Sequence, residues 1–392
     1  MIPYLLAFFM ILYGVFEYDI RGRHEAEAIW YWGIMLYLAI LSGFAYRLGG
    51  DGMEYMNEYS SYALNGGLGL GSFSKYPGRM PGWVLLSIVC KMLCNDYSFF
   101  KIVHALLLNI LFFRGMRHLT KWRFSCVLFY FVLIYFDYNF QLLRQSLAVG
   151  FFLNAIPFFE RRSWGRYYLI CLIGLCFHES IAVAFLLPFV RNIKINEKTL
   201  FVFSFVILII IGFSSFFTSR IVEIAAAITH LSPKISYYSS QIEIGLSFSF
   251  FLNIMLNVVI PTLFVSIFLK EGYSSSLFPF VLSYSLLYTI GLYIPIIYRI
   301  NQYFLLCFYA FFIEIFAYVA KRVLKFRLGH IRFRPGYAFV IICLCFLLFK
   351  ARVYRLPYGD TNYPVYVQYY PYRSIIFKKT DPLREAFFLI CN

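Results

Sequence analysis

Apolar residues in this chain of 392 residues fall into long runs that are separated by short polar or basic stretches. A helix of about 20 apolar residues crosses the hydrocarbon core of a bilayer, so each long run predicts a membrane segment. The runs lie at roughly residues 2–16, 28–45, 98–113, 124–140, 141–159, 167–190, 199–217, 248–269, 275–297, 301–320 and 336–350. A shorter run at roughly 82–95 predicts a re-entrant or interfacial helix.

The composition agrees with a membrane protein, because 61% of the residues are hydrophobic and only 14% are charged. We therefore expect an all-α polytopic membrane protein with about 11–13 membrane segments. These segments are expected to form a single integral membrane domain over residues 1–392. Polar parts are expected outside the membrane, near 46–80, near 218–247 and in the tail 351–392.

The net charge of +16 does not indicate a nucleic-acid partner. The lysines and arginines mostly flank the apolar runs, as is typical of short loops retained in the cytoplasm. No polar basic domain remains to carry nucleic-acid binding. The nine cysteines are scattered and lack the spacing of a zinc site, so we expect neither a metal nor a cofactor.

The basic clusters predict the orientation, because such loops stay in the cytoplasm. The clusters are Arg114, Arg117, Lys121 and Arg123; Arg161, Arg162 and Arg166; and Lys321, Arg322, Lys325, Arg327, Arg332 and Arg334. All of them are cytoplasmic only if residues 167–190 cross an even number of times. We therefore expect a hairpin of two half-helices bent at His178–Glu179, with its tip facing outward into protein or water. One long tilted span is the alternative.

The outward loop 46–80 contains the stretch YRLGGDGMEYMNEY, which begins at Tyr46. Its glycines permit a tight turn after Arg47, and Asp51 with Glu54 can cap a short helix that carries Tyr55. Taken alone, this stretch is better explained as a capped interfacial helix with aromatic anchors.

Two further arginines lie on polar helix faces at the outer membrane boundary. Gln141, Arg144 and Gln145 fall at i, i+3 and i+4, so they share a helix face. Arg299, Gln302 and Tyr303 repeat this spacing. Intramembrane ionisable groups usually line a pathway or a site. Guanidinium groups suit bidentate recognition of phosphate, so this pair indicates a site for a lipid phosphate or diphosphate.

The order of these motifs resembles the EpsG-like family of Wzy-type polysaccharide polymerases. The motifs are the Arg47–Tyr55 element, P-G-W at 81–83, L-R-Q at 143–145, F-H-x-S at 177–180, R-x-x-x-Y at 299–303 and YYPYRSIIF at 369–377. The resemblance implies a bacterial inner-membrane glycosyltransferase with a GT-C-like arrangement of helices. Such enzymes join lipid-linked oligosaccharide repeat units at the periplasmic face without a metal.

The resemblance also implies partners and residue roles. The partners are the undecaprenyl-diphosphate-linked donor and acceptor, membrane lipid and, as a further candidate, a chain-length regulator protein. Arg144 and Arg299, with Arg47, would hold the donor diphosphate. His178 is the favoured base, because an imidazole titrates in the right range, and Asp51 is its orienter or an alternative base. The substrate-lining residues would be Glu54, Tyr55, Gln145 and Tyr303.

Three alternatives stay open at the level of sequence. His178 also fits a core histidine whose hydrogen bonds are satisfied within a bent helix. An O-antigen ligase would use the same chemistry on the same side of the membrane. A flippase or exporter of lipid-linked glycan would more often show repeat symmetry and charges along both halves.

Overall fold

The computed structural model describes residues 1–62, 78–191, 193–212, 248–294, 296–323, 335–358 and 361–391. Over these ranges the chain is helical and forms no strand, apart from isolated bridges at Ala45–Ser374 and Pro357–Pro364. The prediction of an all-α fold is therefore confirmed.

The chain forms two compact units, of which the first comprises Met1–Glu179 and Phe316–Asn392, and the second Ser180–Ile315. The helices of the first unit are α1 (Ile2–Gly14), α2 (Glu27–Gly43), α3 (Gly52–Ser61), α4 (Pro81–Leu93), α5 (Tyr97–Leu119), α6 (Arg123–Leu133), α7 (Tyr135–Phe140), α8 (Leu143–Glu160) and α9 (Trp164–Leu175). Those of the second unit are α10 (Leu187–Val190), α11 (Glu197–Gly212), α12 (Phe248–Ile254), α13 (Ile260–Lys270) and α14 (Phe278–Gly291). Helix α15 (Ile297–Val323) begins in the second unit, and α16 (Pro335–Ala351) and α17 (Pro382–Cys391) belong to the first.

Five helical stretches are long and apolar enough to cross a membrane, among the residues that the structure describes. They are Ile2–Ile20, Tyr97–Leu119, Phe248–Lys270, Ile297–Arg322 and Pro335–Arg355. Shorter apolar helices occupy most of the other predicted runs, including Pro81–Leu93 where the short run was expected. These helices support a multi-pass membrane protein. The predicted loop at 218–247 and the basic residues from Lys325 to Arg334 lie outside the described residues.

Helix α5 packs against α2, α4 and α8 in the first unit. Small residues allow the close contact between α5 and α8, as in many membrane helix pairs. A Cβ atom added at Gly115 would lie 2.7 Å from the Cβ of Leu153, and one at Gly150 would lie 2.9 Å from the Cβ of Leu111. Larger residues at either glycine would therefore push the two helices apart.

The chain breaks its helical path between α7 and α8. Side chains of α5 bond one backbone carbonyl on each side of this break. Lys101 Nζ donates to the carbonyl of Asn139, and His104 Nε2 donates to the carbonyl of Leu143 at 2.9 Å. Broken helices inside a membrane protein need such partners, because lipid supplies none. Helix α8 therefore starts at a position fixed by α5.

Residues 167–190 are also interrupted, at the place where the sequence predicts a bend. Helix α9 ends at Leu175, and a 3-10 helix begins at Glu179 and ends at Leu186. His178 lies in the short connection between them. The hairpin crossing itself remains a prediction.

Lys91 of α4 holds the end of α3. It is 7% exposed, and its Nζ donates to the carbonyls of Tyr59 at 3.0 Å, Ser60 at 2.8 Å and Tyr62 at 2.6 Å. The last carbonyls of a helix lack partners within the helix, and a cation at this end also suits the helix dipole. Lys91 thereby fixes α3 on α4.

Candidate functional site

The loop before α3 is fastened to the C-terminal part of the chain. Arg47 forms a two-bond fork with Glu385 of α17, in which Nε donates to Oε1 at 2.7 Å and a terminal nitrogen donates to Oε2. Beneath it, Arg384 is 1% exposed and donates to the carbonyls of Val367, Pro371 and Arg47. The guanidinium of Arg47 is therefore already occupied by a carboxylate.

Two glycines bring this loop against the residues before α8. Gly49 has a φ of +84°, and a Cβ atom there would lie 2.3 Å from the carbonyl oxygen of Phe140. Its N–H donates to the carbonyl of Gln368 at 3.0 Å, and the N–H of Gly50 donates to Oε1 of Gln368 at 3.1 Å. Only glycine fits this conformation and this approach at position 49.

Asp51 and Glu54 lie at the exposed start of α3. Asp51 occupies the N-cap position of α3, but its side chain makes no capping hydrogen bond, contrary to the expected cap. Glu54 accepts a hydrogen bond from Arg79 at 3.2 Å, and Arg79 also pairs with Glu58 at 2.9 Å. Arg79 thus joins two carboxylates that are one helical turn apart.

The P-G-W motif connects α3 with the segment that carries His178. Trp83 is 2% exposed, donates from Nε1 to Glu58 at 3.1 Å and packs its ring 5.4 Å from that of Tyr55. The N–H of Gly82 donates to the carbonyl of Cys176 at 2.6 Å. The start of α4 therefore fixes the turn that precedes His178.

Arg144, the second residue of α8, meets α3 through a hydrogen bond with Tyr55. Burial raises the pKa of Tyr55, and the nearby charge of Arg144 acts in the opposite direction. The Nε atom of Arg144 is buried and has no hydrogen-bond partner in the described part of the chain. Its neighbour Gln145 is 2% exposed. Arg144 thus keeps a free donor at the positive end of a helix.

His178 is 8% exposed and follows the last turn of α9, where its N–H donates to the carbonyl of Gly174 at 3.2 Å. The ring of the preceding Phe177 stacks on Phe151 of α8 at 5.5 Å. Glu179, its other neighbour, is exposed. The imidazole is therefore held in a shielded position on a short connection that α4 and α8 both support.

In the second unit, the last residue of F-H-x-S meets the last residue of R-x-x-x-Y. The hydroxyls of Ser180 and Tyr303 lie 3.0 Å apart, and Tyr303 is fully buried. Arg299 lies one turn earlier in α15 and is exposed. This hydrogen bond gives a structural reason for the presence of both motifs in one chain.

The first unit thus brings Tyr55, Glu54 and Arg144 together around α3. Gly82 ties the segment before His178 to α4, whose Trp83 packs on Tyr55 of α3. Sequence analysis did not single out Arg79, Glu58 or Glu385, which contact the predicted site residues or their neighbours. The spacing of Glu54 and Glu58, one helical turn apart, was the available signal for Glu58. Over the residues described, no group of three or more His, Cys, Asp or Glu side chains is placed to hold a metal ion.

A comparison with protein families supplies the identification. The sequence description of the EpsG family matches residues 28–374, which include every motif up to Ser374. The chain belongs to the EpsG family. No curated protein and no solved structure matches it. As an EpsG family member with several apolar helices, it is a multi-pass membrane protein related to polysaccharide polymerases.

We predict that Gly82→Ala destabilises this EpsG family member by about 1–3 kcal/mol, a typical cost of overpacking. The new methyl group would lie 2.7 Å from the carbonyl oxygen of Cys176 and 2.9 Å from its Cβ atom. Thermal unfolding of the purified protein in detergent measures the effect. Gly165→Ala is the matched control, because nothing lies within 4 Å of a Cβ atom at that helical glycine. Equal unfolding midpoints for the two variants would contradict the close contact between Gly82 and Cys176.

Proposed function

We propose that this protein is a polysaccharide polymerase that joins oligosaccharide repeat units carried on undecaprenyl diphosphate. Membership of the EpsG family supports the class of reaction. The single observation that carries the proposal is the position of Arg144, which bonds Tyr55 from the first turn of α8 and whose buried Nε has no hydrogen-bond partner among the described residues. A diphosphate oxygen is the acceptor that suits such an arginine.

The site is proposed to face the periplasm, and the reaction is a single displacement at the anomeric carbon of the donor glycan. The acceptor hydroxyl oxygen forms a bond to that carbon while the bond from the carbon to the diphosphate oxygen breaks. The departing diphosphate keeps the electron pair, and the hydroxyl proton passes to a base. Negative charge therefore grows on the departing oxygens, where a fixed guanidinium lowers the barrier. The first residues of α8 add the positive end of a helix.

Arg144 is assigned to the donor diphosphate. The diphosphate-binding role of Arg299 stays a proposal that rests on its sequence motif alone. His178 is assigned as the base that takes the acceptor proton, with Asp51 as orienter or alternative base. The shielded position of His178 supports this role, since a base works best when bulk water does not compete. No resident metal is part of this scheme, because arginines supply the positive charge.

The remaining predicted residues receive positioning roles. Arg47 is bonded to Glu385, so we assign it to holding the loop before α3 and not to direct phosphate contact. Tyr303 is fully buried and bonded to Ser180, which suits support of the segment after His178. Tyr55 orients Arg144. Gln145 and Glu54 flank these groups and are proposed to contact the glycan or its carrier. A chain-length regulator protein remains a proposed partner.

Glycan analysis of a deletion strain tests the function itself. We expect loss of polymer with single repeat units retained, because polymerisation is the only step removed. Finished polymer left on its lipid carrier would instead identify a ligase. Repeat units trapped on the cytoplasmic side would identify a flippase. Either result would replace the proposed function.

Arg144→Lys is expected to lower polymerisation at least about tenfold, and Arg144→Ala by about a hundredfold to a thousandfold. Lysine keeps the charge but cannot form the fork that a diphosphate needs. Polymer length in the complemented deletion strain measures the effect, with protein level followed by immunoblot. Arg161→Lys, an exposed arginine beyond the end of α8, is the control and should be normal. Full activity of Arg144→Lys would exclude recognition of phosphate geometry.

His178→Ala is expected to lower turnover by about a hundredfold to ten-thousandfold while donor lipid still binds, as for the loss of a positioned base. The measurement is a purified assay with defined lipid-linked repeat units and a chelator present. Glu179→Gln is the neighbouring control and should turn over normally. Normal turnover of His178→Ala would transfer the base role to Asp51. Loss of wild-type activity in chelator would refute the metal-independent scheme.

A further inference from the structure

A cavity of about 200 Å³ lies in the first unit, beside the loop that Arg47 begins. Its lining comes from the loop after α2, one face of α3, the start of α5 and the stretch around Ile375. The polar side chains of the lining are Tyr46, Arg47, Asp96, Tyr97, Ser98, Lys101 and Lys378. No role in the proposed reaction has been given to this cavity.

The cavity carries an excess of positive charge at Lys101. This lysine is 6% exposed, its Nζ donates to the carbonyl of Asn139, and the same ammonium lies 5.2 Å from the centre of the Phe140 ring. An ammonium group has three donors, and over the described ranges Lys101 has no carboxylate partner. A buried cation without a counter-ion is costly, so a ligand anion here would remove a penalty as well as form a bond.

The other charges of the lining do not supply that counter-ion. Arg47 is matched by Glu385 outside the cavity. Asp96 caps α5 by accepting from the N–H of Ser98 at 2.8 Å. That hydrogen bond, with a contribution from the charge of Lys378, holds the pKa of Asp96 below its usual range. The charge of the Asp96 carboxylate is offset by that of Lys378, so the positive charge of Lys101 remains.

Two tyrosines give the cavity the character of a carbohydrate site. Tyr46 and Tyr97 both line the cavity, and the ring of Tyr97 is held in place by stacking on Phe100 at 5.8 Å. A phenol ring offers an apolar face with a polar tip, which matches the C–H face and the hydroxyls of a sugar ring. The volume corresponds to roughly seven waters, by the share of about 30 Å³ that each has in the liquid. One sugar residue is therefore the size of ligand that fits.

We propose that this cavity binds one sugar of the repeat unit through an anionic substituent, with Lys101 as the partner of that anion. A uronic acid carboxylate and a phosphate ester on a sugar share this chemistry. The glycan origin of the ligand rests on the proposed function. The cavity therefore selects repeat units that carry a negative charge at one defined sugar.

The position of α3 connects the cavity with the reaction. Met53 and Met56 of α3 line the cavity, whereas Tyr55 on another face of the same helix bonds Arg144. A sugar in the cavity would thus be recognised one helix away from the diphosphate. Such remote contacts position a substrate without touching the reacting atoms.

Binding of sodium glucuronate to the full-length protein in lipid nanodiscs tests the proposal by saturation-transfer NMR, with glucose, glucose 6-phosphate, acetate and inorganic phosphate as further probes. We expect glucuronate or glucose 6-phosphate to bind, and glucose to bind at least about tenfold more weakly, as for loss of a charge-assisted hydrogen bond. The preferred of the two anionic sugars identifies the substituent. If acetate or inorganic phosphate binds as tightly as glucuronate and glucose 6-phosphate, the cavity does not recognise a sugar and the proposal is overturned.

Lys101→Met should abolish the preference for the anionic sugar over glucose. Because this change also removes the bond to Asn139, Lys378→Met at the exposed rim is the second variant, and it should weaken the anionic sugar severalfold while the protein folds normally. Lys121→Met, an exposed lysine of the same unit, is the control. If both cavity variants still prefer the anionic sugar over glucose, the proposal is overturned. If Lys101→Met does not fold, unchanged binding of the anionic sugar to Lys378→Met overturns it. If the protein polymerises but does not prefer anionic sugars, only the role of the cavity is refuted. If it binds anionic sugars but does not polymerise, only the proposed function is refuted.

Discussion

A break in a membrane helix leaves carbonyl groups that lipid cannot bond, and this constraint determines the surroundings of Arg144. Lys101 and His104, both on α5, bond the carbonyls of Asn139 and Leu143 on either side of the break. Helix α5 itself is held against α8 by close glycine contacts. As a result, the first turn of α8 has little freedom to shift. A side chain that must present one free nitrogen to a ligand benefits from such a fixed backbone.

The loop before α3 is also irregular, and its backbone groups likewise find partners on other elements. Gly49 packs on the carbonyl of Phe140, so the loop rests on the residues that lead into α8. Gln368 accepts hydrogen bonds from the N–H groups of Gly49 and Gly50. Arg384 donates to the carbonyls of Val367 and Arg47. The loop before α3 is therefore shaped by hydrogen bonds to residues of the C-terminal part of the chain.

The sequence predicted the helices well because the length of an apolar run is a local property. The predicted runs correspond to helices wherever the structure describes them, and the predicted bend coincides with the gap between Leu175 and Glu179. Tyr55 and Arg144 were both named from motifs, but their contact was not. The fork between Arg47 and Glu385 joins residues 338 positions apart, and no pattern in a single sequence encodes such a pairing. Orientation, by contrast, remains a prediction from charge.

The C-terminal fastening also has a consequence for how the protein is made. Arg47 is synthesised early, whereas Arg384 and Glu385 leave the ribosome only after the helices between them. Until then, the loop before α3 lacks the bonds that shape it. The loop before α3 therefore takes its final shape only in the last stage of biogenesis.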